Sequence, residues 1–173
     1  MFSKIDITDI FCDHINTLKN SRTKKISFTD LLIFFISPLF ISSLLLYKEI
    51  SINSQFATVL LACFSIFTAL LFNLLLLIFD IASKVRNSNK ISDSDLKLFY
   101  SVLKEVYVNV SFCISISVIV IVILSGFFIG VQSKLYLSII SFFSYAISLN
   151  FMLTLLMILK RIYRLLTKMT SGW

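Results

Sequence analysis

One histidine, three cysteines and nine carboxylates are the chain's stock of groups for acid–base, thiol or metal chemistry. A catalytic triad needs a nucleophile, an oriented base and a group that orients the base. His14 has no second histidine to work with. Cys12, two residues away, is near in sequence only. We therefore expect His14 to be a surface residue near the membrane. Cys12, Cys63 and Cys113 form neither a metal-ligand spacing nor a disulfide framework. Cys63 and Cys113 lie in apolar runs, where a small buried thiol is the ordinary reading. The only glycines are Gly126, Gly130 and Gly172, so no glycine-rich nucleotide loop exists. The expectation is a non-enzyme without cofactor or metal.

The remaining patterns concern packing. Gly126 and Gly130 form a small-xxx-small pair, which lets helix backbones approach closely in lipid. Ser138, Ser141, Ser144 and Ser148 recur at three, three and four and line one helix face. Such a stripe is either a packing seam or the wall of an aqueous path. These six residues are the candidates for helix packing or oligomerisation. Asn73 and Asp80, seven apart, share a helix side and form the best intramembrane polar pair. Asn109, Glu105 and Asp30 complete the polar set within or beside the membrane. Asp30, Asp80 and Glu105 fall at the inner ends of three spans, within reach of Lys84, Lys104 or the basic tail.

The elements that position these groups follow from charge and hydropathy. Hydrophobic residues make up 58% of the chain and charged residues 14%. Soluble domains carry nearer 25% charge. Val106 to Ser133 holds 28 consecutive uncharged residues, and about 20 suffice to cross a bilayer. Runs of 24 and 25 cover Phe56 to Phe79 and Leu135 to Leu159, and one of 17, at the short limit, covers Leu31 to Tyr47. The expected fold is all-α, a polytopic membrane protein of four transmembrane helices.

Fourteen of the 16 basic residues fall before the first span, between the second and third, or after the fourth. Only Lys48 and Lys134 lie in the other two turns. The positive-inside rule then places both termini in the cytoplasm. The net charge of +7 is read as a topology signal, and no direct nucleic-acid binding is expected.

The chain divides into a cytoplasmic amphipathic segment (1–30), a four-helix transmembrane bundle (31–159) with a cytoplasmic connection (80–105), and a basic cytoplasmic tail (160–173). In the first segment Ile7, Phe11, Ile15 and Leu18 make a helical stripe, with Asp6, Asp9 and Asp13 on another face. In the connection, Ser92 and Asp95 resemble a capping box, and Leu96, Phe99 and Leu103 recur at helical spacing. A helix should start near Asp93 and run unbroken into the third span, as a cytoplasmic helical extension. The three aspartates with Leu96, Phe99 and Leu103 are the candidate partner-docking residues. Pro38 should bend the first span.

Size, four spans, cytoplasmic termini and an Asn/Lys/Ile/Ser-rich composition resemble small bacterial membrane proteins of anti-phage defence. The membrane subunit of the Kiwa system is the nearest fit. No signature motif is matched residue by residue, so no site is carried over. The resemblance implies a non-enzymatic sensor or scaffold of the bacterial inner membrane. It would be a homo-oligomer, with a tetramer favoured, that is embedded in lipid and signals to a cytosolic effector protein. Two other readings are a pore-forming effector that depolarises the cell, favoured by the serine stripe, and an accessory subunit of a transporter.

Overall fold

The computed structural model describes residues 7–18, 32–86, 93–128 and 133–170. Asp6, Asp30, Gly130 and the side chain of Leu96 lie outside the described residues. The described residues form helices and turns alone: α1 (Thr8–Thr17), a π-helical turn (Leu32–Ile36) leading into α2 (Ser37–Tyr47), α3 (Ser54–Arg86), α4 (Asp93–Phe127) and α5 (Lys134–Thr170).

Three helices, α3, α4 and α5, are long and apolar enough to cross a membrane. With 33, 35 and 37 residues at 1.5 Å rise, each spans about 50 Å, well beyond a hydrocarbon core of about 30 Å. α4 starts at Asp93 and runs without a break to Phe127. Among the described residues it ends at Phe127 with a turn at Phe128, inside the uncharged run Val106 to Ser133. α5 does not stop at Leu159. It carries the basic tail on as helix to Thr170. The apolar helix before them, Leu32–Tyr47, is shorter.

The helices form an open arc in which α4 and α5 are central. α3 packs on α4, α4 on α5, α5 on α2, and α1 lies against α4. α4 presents Val106, Val110, Cys113, Ser117, Val120 and Leu124, all at most 1% exposed, at alternating spacings of four and three. That is the 3.5-residue repeat of left-handed helix packing. α3 answers with Ala57, Phe64, Leu71 and Ile78, every seventh residue, all buried. Lipid tails are as apolar as these side chains, so close packing holds the seam together rather than exclusion of water. β-branched and small residues suit it because they fit with little loss of rotamer freedom. Phe151 of α5 closes the inner side of α3, with its ring centroid 5.0 Å from Phe64 and 5.5 Å from Phe67.

Pro38 falls near the middle of the continuous apolar helix Leu32–Tyr47. It sits at the start of α2, directly after the π-helical turn. Proline has no N–H for the carbonyl four residues back, which is that of Phe34. Asn150 of α5 supplies the missing donor, its Nδ2 lying 2.7 Å from Phe34 O.

The short connections are built locally. α2 ends with Glu49 at φ 56°, with Ile50 N–H on Leu45 O and Lys48 N–H on Leu44 O. This is a left-handed C-terminal cap in which Glu49 stands where glycine is usual. Asn53 caps α3 through Oδ1 to Phe56 N–H at 2.8 Å. Between them Ile52 is buried, and its N–H donates to Ser141 Oγ at 2.9 Å.

Candidate functional site

The main polar constellation gathers where α1 meets α4 and α5. His14, expected at the surface, is fully buried there. Its ring stacks on Phe112 with centroids 3.7 Å apart and planes 2° from parallel. Phe11 meets the same phenylalanine edge-on at 5.0 Å. The inward face of α1 is therefore Ile10, Phe11, His14 and Leu18, while Ile7 and Ile15 are exposed. The expected apolar stripe was rotated, because a neutral imidazole over a phenyl ring fills the interface as an aromatic would. Asp9 and Asp13 remain on the outer face of α1.

Hydrogen bonding fixes the chemistry of the cluster. Asn109 Nδ2 donates to Glu105 O at 2.7 Å, which sets the amide orientation and turns Oδ1 toward α1. His14 Nδ1 lies 2.7 Å from that Oδ1. Because the amide oxygen only accepts, Nδ1 carries the proton. Nε2 is then a buried acceptor with no partner among the described residues. The Thr17 hydroxyl lies 2.7 Å from His14 O and 3.0 Å from Asn109 Oδ1, sharing its proton between them.

Arg161 comes in from α5. Its Nη2 donates to Thr17 O at 2.7 Å. Its Nη1 lies 3.3 Å from Glu105 Oε2, near enough for an ion pair. One guanidinium thus joins α1, α4 and α5. The His14 pKa is lowered from 6.5 to about 4, chiefly by burial. The Asn109 hydrogen bond opposes the shift and the positive charge of Arg161 adds to it. The imidazole is neutral at physiological pH and is held as a structural donor.

The other predicted residues disperse. Ser141 and Ser144 are fully buried within the chain. Ser141 holds the α2–α3 connection, while the hydroxyls of Ser144 and Ser148 are buried with no partner among the described residues. Ser138 is half-buried. Gly126 belongs to the α4–α5 hairpin: the Tyr136 hydroxyl donates to Gly126 O at 2.8 Å. A Cβ at Gly126 would stand 3.2 Å from that hydroxyl.

Asn73 and Asp80 do not form a pair. Asp80 bonds Lys84 on its own helix at 2.6 Å, and the Asn73 side chain faces outward without a hydrogen bond to any described residue. Leu103 is buried and Phe99 half-buried in the packing around the α3–α4 stem, where the Tyr100 hydroxyl reaches Ala82 O at 3.4 Å. They are stem residues rather than a free docking face. Cys63, expected to be buried, is exposed on α3, and Cys113 is buried in α4.

The His14–Asn109–Arg161 cluster was missed in the sequence. Its members lie 95 and 52 positions apart and carry no motif. The available signal was an asparagine in an apolar run, which needs a partner from elsewhere. No family profile, curated protein or solved structure matches the chain. Fold and site together describe an all-helical protein with three helices suited to crossing a membrane, and a short amphipathic helix locked beside them.

Proposed function

We propose that this chain is a non-enzymatic sensor or scaffold subunit of the bacterial inner membrane, which assembles with copies of itself and signals to a cytosolic effector protein. In this reading Leu32–Tyr47 is the first of four spans, both termini are cytoplasmic, and the resemblance to anti-phage membrane subunits indicates the setting. The observation that carries it is the buried lock of α1. Thr17 is held at once by Asn109 of α4 and Arg161 of α5. A shift of α4 against α5 therefore pulls on α1, and the charge distribution puts α1 on the cytoplasmic side. A disturbance of the spans becomes a change in what α1 displays, including Asp9 and Asp13.

The pore reading keeps one supporting observation, the unpartnered buried hydroxyls of Ser144 and Ser148, which would accept water.

The test is membrane potential in bacteria expressing the chain, followed before and during phage infection, with a photocrosslinker at Asp13. Expected are a stable potential before infection and an infection-dependent crosslink from α1 to one cytosolic protein. Arg161→Met should give that crosslink without infection. Collapse of the potential on expression alone, with no crosslink, overturns the reading in favour of a pore.

A further inference from the structure

The three long apolar helices contain three asparagines, and two of them are satisfied inside the chain. Asn109 bonds His14 and Glu105 O. Asn150 bonds Phe34 O. Asn73 is the exception: it is exposed and its side chain has no hydrogen bond to any described residue. It lies six residues inside Phe79, the last residue of the uncharged run. At 1.5 Å per residue that is about 9 Å into the apolar zone, farther than a short amide side chain reaches back to water. An amide facing hydrocarbon without a partner is costly.

We propose that Asn73 is the centre of a homotypic contact, in which α3 of one copy packs against α3 of a second. The inference rests on the homo-oligomer of the preceding reading and names the surface that makes it. An amide offers both a donor and an acceptor, so two Asn73 side chains related by a twofold axis satisfy each other. A single buried asparagine fixes register between paired helices in the same way. The fold leaves this face open, because α3 is at the edge of the arc and packs on α4. Ser65 and Ala69, two turns and one turn before Asn73, are both exposed. Their small side chains let the two backbones come close, and the Ser65 hydroxyl is already bonded to Leu61 O. Gly126 and Ser141 are engaged inside one chain, and Ser144 is buried there. The contact surface therefore moves from α4 and α5 to α3.

The test uses the full chain in lipid bilayers, with Cys12→Ser, Cys63→Ala and Cys113→Ala to remove native thiols. Ala69→Cys is added for oxidative crosslinking, and Val122→Cys, exposed on α4, serves as the control. Expected are dimers through position 69, none through 122, and about tenfold weaker association when Asn73→Leu is added. Leucine suits a lipid-facing position, so this loss would not come from unfolding. Crosslinking at 69 that Asn73→Leu leaves unchanged overturns the role of the amide. An assembly that persists with no crosslink at 69 overturns this contact and leaves the oligomer standing. A single copy per particle overturns both.

Discussion

His14 shows how much a residue's meaning depends on what surrounds it. A lone histidine beside aspartates in a short amphipathic segment reads as surface. Placed over Phe112 and against Asn109, it becomes the polar core of an interface. Its pKa, lowered from 6.5 to about 4, makes the docking of α1 sensitive to pH. Between those values the undocked state binds the proton and the docked state does not, so stability rises with pH across that range. The contribution is complete above pH 6.5 and is lost as pH falls toward 4. It amounts to on the order of 3 kcal/mol at 1.36 kcal/mol per unit. Arg161 and Glu105 are the charged groups beside it on α5 and α4, and protonated His14 would add a second cation there. Protection of the α1 amides against hydrogen exchange, relative to the intrinsic rate at each pH, should fall from pH 6.5 to 4. His14→Gln keeps a donor for Asn109 and should flatten that dependence.

Asn150 makes the same point in a different bond. Its amide fills the place of the N–H that Pro38 lacks. Asn150→Leu should cost about 1 kcal/mol by leaving Phe34 O unsatisfied. In a Pro38→Ala background the backbone N–H returns, and the same change should cost less. A double-mutant cycle of thermal unfolding in detergent measures the coupling.

At the scale of elements, caps and turns set where the helices stop. Glu49 takes a left-handed conformation at the end of α2, which disfavours any residue with a Cβ. Its ion pair with Lys134, at 3.8 Å between two largely exposed side chains, offsets little of that. Glu49→Gly should stabilise the protein by about 1 kcal/mol, read as a raised thermal midpoint. The start of α4 at Asp93 and its helical spacing were legible in the sequence, because local chemistry and helical period act over a few residues. The limits of α1 and the π-helical turn before α2 were less so. One depends on a surface supplied by α4, the other on a donor supplied by α5.

For the whole molecule, the arc makes α4 the shared wall of the fold. Val120 is fully buried there, while Val122, two residues on, is 65% exposed. Val120→Ala should cost about 1–2 kcal/mol through lost packing, and Val122→Ala close to nothing. Unfolding of both variants in one detergent gives the comparison. The sequence by itself determined the helical class, the long apolar helices and the unbroken α4, because hydropathy and period are properties of contiguous residues. The tertiary structure alone decided which polar groups meet: His14 with Asn109, Thr17 with Arg161, Asn150 with Phe34 O, and Asn73 with none of the described residues. Those pairings join residues on different helices. In apolar surroundings each such group needs a partner, and only the fold determines which one lies within reach.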